Sequence, residues 1–139
     1  MSDIKGLQKA GLLTEVESDG SVLCTLTGPE DTPYVGNRYD VRISLPVEYP
    51  FKSPSVGFVH KVYHPNVDLA SGTICLNALN HEWTPVYNLV AIMQTLLPQL
   101  LTYPNGSDPL NTEAAALLES NPFEYKKQCE LYNGKQEAV

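Results

Sequence analysis

The sequence predicts an α+β fold: a four-stranded antiparallel meander sheet packed on a central helix, with a short N-terminal helix and two C-terminal helices. Two patterns carry that prediction. Over Arg38–Leu45 the apolar side chains Tyr39, Val41, Ile43 and Leu45 alternate with Arg38, Asp40, Arg42 and Ser44, the period of a half-buried strand. Further on, Leu89, Ile92, Met93, Leu96, Leu97 and Leu100 follow helical spacing and form one stripe fit to lie across the sheet. Strand patterns fill the first half of the chain and helical patterns the second, which is the order of an α+β domain.

The remaining elements follow from local signals. Residues 3–11 hold one or two helical turns, with Asp3 as candidate N-cap and with Gly6 and Gly11 keeping the helix short. Leu12–Ser18 and Ser21–Thr27 read as strands joined by Asp19-Gly20, a two-residue hairpin signal. Gly28-Pro29 and Pro33 force irregular chain before Arg38, and Pro46, Pro50 and Pro54 punctuate the path to a fourth strand, Ser55–Val59. Pro98 falls inside the helical stripe, so that helix is expected to kink or end in its last turn. Asn111 or Thr112 caps a helix through Ala114-Ala115-Ala116-Leu117-Leu118. Asn121 caps the last one, with Pro122 in first position, Glu124 reaching back and Gly134 as the stop. No repeat or linker divides residues 1–139, which are read as one domain.

Composition narrows the function classes. With 139 residues and 42% hydrophobic content, the chain can bury a core without staples. It has no run of 18 apolar residues, and Met1-Ser2-Asp3-Ile4-Lys5 lacks the apolar region of a secretory signal, so neither a membrane span nor export is expected. Three cysteines, at positions 24, 75 and 129, are too few and too scattered for a disulfide framework or a zinc site. They fit reduced thiols in the cytoplasm or nucleus. The net charge is −7, and the nine Lys and Arg residues never cluster, so no nucleic-acid partner is expected.

The chemistry-bearing segment runs from His64-Pro65-Asn66 to Cys75, a thiol nine residues after an amide and past a Gly-bearing turn. Cys24 alternates with Val22 and Leu26 on a strand and Cys129 lies on the last helix, so both read as small buried hydrophobes. Cys75 has irregular, polar flanks and reads as the candidate nucleophile. His64 or His81 beside Cys75 suggests a Cys–His hydrolase; alternatively, backbone bonds hold the His64 ring to shape the turn, with Pro65 biasing it toward extended geometry. No Lys, Arg or strong helix N-terminus near Cys75 in sequence lowers its pKa, which suits thioester exchange better than amide cleavage. Asn66 is either an amide donor to an oxyanion or a turn residue. Asp108, at the end of the turn-rich Pro104-Asn105-Gly106-Ser107-Asp108-Pro109, either orients and deprotonates an incoming amine or makes an Asp-Pro turn.

Together these segments resemble the catalytic domain of ubiquitin-conjugating enzymes over nearly the whole chain. The matching pieces stand in the family's order: Gly28-Pro29 through Gly36, Leu45-Pro46 through Pro54, Tyr63-His64-Pro65-Asn66-Val67, Gly72-Thr73-Ile74-Cys75-Leu76, Trp83-Thr84-Pro85, Pro104-Asn105, Asp108-Pro109-Leu110-Asn111, Ala114-Ala115 and Tyr125. The resemblance implies that Cys75 accepts the carboxyl terminus of ubiquitin from an activating enzyme and passes it to a substrate lysine, usually with a RING-type ligase present. It implies that Asn66 supports the oxyanion or the active-site loop, that Asp108 guides the attacking lysine, and that His64 and Pro65 support the site. Pro50, Phe51, Trp83, Thr84 and Pro85 match the two ligase-docking loops; the other reading of Phe51 is a core aromatic. Lys5 and Lys9 are the basic residues the short first helix offers to the activating enzyme, so slow charging is expected. No bound cofactor or metal is implied, because the activating enzyme uses the ATP.

One-residue extensions between Asn66 and Cys75 and between Trp83 and Pro104-Asn105 are similar to the H-type branch of the family, which is associated with histone substrates and with a large multisubunit ligase. That branch often carries an acidic tail. None follows Val139 here, and tail-dependent partners are not expected. Two rivals remain: a binding module of the same fold without a working cysteine, and the Cys–His hydrolase.

Overall fold

A computed structural model of the chain describes residues 2–74 and 83–139. Four strands, β1 (Leu13–Val16), β2 (Val22–Thr27), β3 (Arg38–Ser44) and β4 (Ser55–Phe58), pair antiparallel in the order β1-β2-β3-β4. Helix α1 (Ser2–Lys9) precedes the sheet. The central helix α2 runs in three consecutive pieces, Leu89–Ala91, a π-helical turn Ile92–Leu96, and Leu97–Thr102; α3 (Thr112–Ser120) and α4 (Pro122–Lys135) follow. The expected fold class stands, and the strand ends lie within two residues of expectation.

One face of the sheet is the core. In β3, Tyr39, Val41 and Ile43 are buried while Arg38, Arg42 and Ser44 are exposed, as the alternation requires. In β2, Val22, Cys24 and Leu26 are buried beside them, through the register Val22↔Ile43, Cys24↔Val41 and Leu26↔Tyr39. All six residues of the helical stripe are buried against this face, and so is Leu101. Leu7 of α1 is fully buried as well. The helix closes in a Schellman arrangement: Leu12 N–H donates to Leu7 O and Gly11 N–H to Gln8 O, with Gly11 at φ +74°.

Several local expectations give way to tertiary structure. Asp3 is not the N-cap; it lies in the first turn of α1, where its carboxylate accepts a hydrogen bond from the Tyr49 hydroxyl. The Asp19-Gly20 hairpin is closed by Glu17 and Ser21 around a three-residue turn, because Gly20 takes φ +89° and its N–H donates to Glu17 O. The central helix does not end at Pro98, one of the two expected outcomes; it continues to Thr102 after a π-helical turn. Proline removes one N–H and its ring crowds the carbonyl four residues back, that of Gln94, and the π turn Ile92–Leu96 spreads the helix there. Asn111 caps α3 through its side-chain oxygen (3.0 Å from Ala114 N), and Asn121 caps α4 in the same way (3.2 Å from Glu124 N). Glu124 does not reach back; its carboxylate faces Gln128 and Lys127 in the next turn. Gly134 does not stop α4. Gln136 does, at φ +47°, because residues 136–139 turn to pair with the chain beyond β4: Lys61 N–H donates to Glu137 O (2.8 Å) and Val139 N–H to Val59 O (3.1 Å).

Candidate active site

The site is built on His64-Pro65-Asn66, and each of the three ties a different part of the chain. The His64 ring is fully buried. Its Nδ1 accepts from Asn66 N–H (2.9 Å), which leaves Nε2 as the protonated nitrogen that donates to Leu100 O of α2 (2.9 Å). Burial lowers the His64 pKa to about 4, against a smaller upward pull from the Leu100 carbonyl, so the ring is neutral at physiological pH. With both nitrogens engaged, His64 shapes the turn and couples it to the central helix, the structural alternative of the two read from sequence.

Pro65 O accepts from Leu110 N–H (2.9 Å) and Asn111 N–H (3.0 Å). The Asn66 side chain is buried and makes a reciprocal pair with Asn105: Nδ2 donates to Asn105 O (2.7 Å) and Oδ1 accepts from Asn105 N–H (2.9 Å). The loop carrying Asp108 is therefore held at both ends by adjacent residues. Inside it, Asn105 Oδ1 accepts from Ser107 N–H (3.0 Å) and Ser107 Oγ (2.6 Å), and exposed Asp108 sits at φ +53°. Left-handed backbone at a non-glycine residue costs roughly 1–2 kcal/mol, and it persists where surrounding contacts over-determine it.

Beneath this clamp, Tyr34 O–H donates to Tyr63 O (2.6 Å) and lies 2.9 Å from the Tyr125 hydroxyl; Cys129 Sγ also reaches Tyr63 O (3.3 Å). The residue preceding His64 is thus anchored to the last helix. Tyr125 appears in the motif series, but the pairing with Tyr34 has no sequence signal, since the two are 91 positions apart. The reciprocal bond between Asn66 and Asn105 was hidden for the same reason.

Cys75, the candidate nucleophile, lies outside the described residues, as do His81 and the rest of 75–82. The chain leading to it is described. Phe58 N–H donates to Gly72 O (2.8 Å) and Ile74 N–H to Val56 O (3.0 Å), so residues 72–74 run along the free edge of β4. Val67 bridges to Ile74, which brings this stretch beside Asn66. The other two thiols are buried and free; burial pushes Cys24 up to about 11 and raises Cys129. They are the small hydrophobes expected.

Of the residues expected in the docking loops, Pro50 and Trp83 meet. Trp83 Nε1 donates to Pro50 O (2.8 Å), and its ring packs between Tyr49 and Tyr87. Phe51 is 78% exposed, which excludes the core reading, and Thr84, Pro85 and Val86 are exposed beside Trp83 in sequence. Pro50 and Pro85 line a groove of about 810 Å³ with Asp3 of α1 and Tyr87. Lys5 and Lys9 are exposed on α1. Among the described residues, no cluster of His, Cys, Asp or Glu could hold a metal, and no helix is long and apolar enough to cross a membrane.

Residues 2–133 match the family model for ubiquitin-conjugating enzymes. The chain belongs to the ubiquitin-conjugating enzyme family. It is similar to ubiquitin-conjugating enzyme E2 5 of Arabidopsis thaliana, 46% identical over 136 residues that cover 94% of this chain and 74% of that protein. It is also similar to the 24 kDa ubiquitin-conjugating enzyme of Saccharomyces cerevisiae, 48% identical over 108 residues, 78% of this chain and 50% of that one. Among solved structures, the E2 domain of a Toxoplasma gondii ubiquitin conjugating enzyme superposes with a TM-score of 0.81 at 28% identity, covering 96% of this chain and 93% of that one. Family members are ubiquitin transferases, and their general partners are ubiquitin, an activating enzyme and ligases.

Proposed function

We propose that Cys75 carries ubiquitin as a thioester and passes it to a lysine. The Cys75 thiol gives up its proton to solvent and its sulfur attacks the thioester carbonyl of ubiquitin held by the activating enzyme; a tetrahedral oxyanion forms and collapses, and the activating enzyme's thiolate leaves and takes up a proton. A substrate lysine Nζ then attacks the Cys75 thioester and loses a proton, an isopeptide bond forms, and the Cys75 thiolate leaves. Exchange between thioesters needs no strong base, which fits a neutral His64 with both nitrogens occupied. That same occupation argues against His64 as the base of a Cys–His hydrolase.

The observation that carries this reading is the clamp: Pro65 and Asn66 grip both ends of the loop bearing Asp108, while the chain that reaches Cys75 runs beside Asn66. An amide nitrogen has two N–H groups. One Asn66 N–H holds Asn105, and the other suits a developing oxyanion, a donor effect worth about 3 kcal/mol where preorganised. Exposed Asp108 orients the attacking amine and accepts its proton. Exposed Phe51, next to Pro50 of the Pro50–Trp83 bond, forms with exposed Thr84 and Pro85 the docking face for a RING-type ligase, and Lys5 and Lys9 meet the activating enzyme. The buried, unpaired thiols Cys24 and Cys129 suit the cytoplasm or nucleus, and the nine-residue step from Asn66 to Cys75 supports the H-type branch with histones among its substrates.

The test is a non-reducing gel after incubation with activating enzyme, ubiquitin and ATP. A thiol-sensitive adduct that disappears in Cys75→Ala is expected. Absence of the adduct under every condition favours the binding module.

A further inference from the structure

The turn that precedes Cys75 is held more tightly than chain reversal requires, and the Ser71 side chain adds to its backbone bonds. Ser71 N–H donates to Asp68 Oδ2 (3.0 Å), and Ser71 Oγ donates to the same oxygen at 2.5 Å. That hydroxyl also lies 2.9 Å from Thr73 Oγ1 and accepts from Thr73 N–H (3.2 Å). One serine thus joins the carboxylate that starts the turn to the residue two places before Cys75. The backbone closes the same loop, with Gly72 N–H on Asp68 O and Asp68 N–H on Thr73 O.

The turn is confined from a second side. Gly72 has φ +76°, and a Cβ built on it would come within 2.1 Å of Phe58 O and 3.1 Å of the Val139 side chain. The segment ending in Val139 is itself bonded to Val59 and Lys61. The nine-residue step from Asn66 to Cys75 is therefore taken up in a loop with little freedom to drift, although it is exposed at Ala70, Ser71 and Thr73.

We propose that Ser71 is a positioning residue of the transfer reaction: its hydroxyl, on Asp68 and Thr73, fixes the turn from which residues 72–74 lead toward Cys75. The inference rests on the reading of Cys75 as the nucleophile. Acyl transfer is steep in geometry, since a misplacement of about 1 Å costs on the order of a hundredfold in rate. Removing the hydroxyl frees Thr73 from the carboxylate but leaves the backbone bonds of the turn, so the loss is in placement and not in folding.

Two readouts test it on the full chain, with Ser71→Ala and Ser71→Thr. The first is the rate of Cys75 alkylation by iodoacetamide, followed by mass spectrometry, which needs no other protein. The second is single-turnover charging by the activating enzyme. Ser71→Ala is expected to change the alkylation rate several-fold and to lower the maximal charging rate by about tenfold, with half-saturation and melting temperature unchanged. Ser71→Thr, which keeps the hydroxyl, is expected to restore both rates. Wild-type alkylation and charging in Ser71→Ala would overturn the proposal, as would a loss that tracks a lower melting temperature and is not rescued by threonine. If the wild type reacts with iodoacetamide at Cys75 but never charges, the reading of Cys75 as the nucleophile fails, and the alkylation rates of the two variants still decide the role of Ser71.

Discussion

Lowering the pH from 7.5 to 5.0 should remove about 2 kcal/mol of stability through His64 alone. In the unfolded chain the imidazole titrates near its ordinary value of 6.5, and in the folded protein it titrates at about 4, because the ring is out of water and its Nδ1 is an acceptor for Asn66 N–H. The folded state therefore binds fewer protons than the unfolded state between these values. The contribution is fully present above pH 6.5 and is lost as pH falls toward 4. Linkage between the two pKa values over this interval gives the figure of about 2 kcal/mol, equivalent to a fall in Tm of about 7 °C for a chain of this length. The assay is urea unfolding of the wild type and His64→Gln at both pH values. The difference between the two pH dependences isolates His64 from His60, His81 and the carboxylates. Equal pH dependence in the two proteins would refute the reasoning. Should His64→Gln fail to fold, the ring's own titration followed by NMR in the wild type serves instead, and a midpoint near 6.5 would refute it equally.

Asn66→Ala removes the reciprocal bonds to Asn105 and a candidate oxyanion donor; discharge to lysine should slow on the order of a hundredfold and more than charging does, and equal loss in both steps would count against the oxyanion role. Phe51→Ala should weaken ligase binding with an unchanged melting temperature, since the ring is exposed; a lowered melting temperature as the main effect would mean that the ring packs. Tyr34→Phe deletes the hydroxyl shared by Tyr63 O and Tyr125 and should cost about 1–3 kcal/mol in denaturant unfolding; a change under about 0.5 kcal/mol would show that the buried network is not what anchors Tyr63.

Where short-range rules apply, the sequence was readable. The period of β3, the helical stripe of α2, and the Asn111 and Asn121 caps each depend on neighbours within a turn or a pleat, and each formed as expected. Cys75, Asn66 and Asp108 were picked out by residue type and order, and family membership accounts for that order. At the end of α4 and within α2, a distant partner or the core overrode a local signal. Gly134 is a good stopping residue, yet α4 runs on because residues 136–139 bond to the chain after β4. Pro98 is a good breaker, yet α2 continues, since ending there would leave Leu100 and Leu101 out of the core.

The sequence by itself determined the fold class, the family and the residue types available for thioester chemistry, because composition, periodicity and motif order are written along the chain. Only the tertiary structure decided what those residues do for one another. It made His64 a neutral strut on Leu100, set Asn66 as the anchor of the Asp108 loop, and left Phe51 in solvent. Each of these depends on contacts between segments about 30 or more positions apart, and the burial and hydrogen-bond partners that fix a side chain's charge state and orientation exist only once those segments have packed.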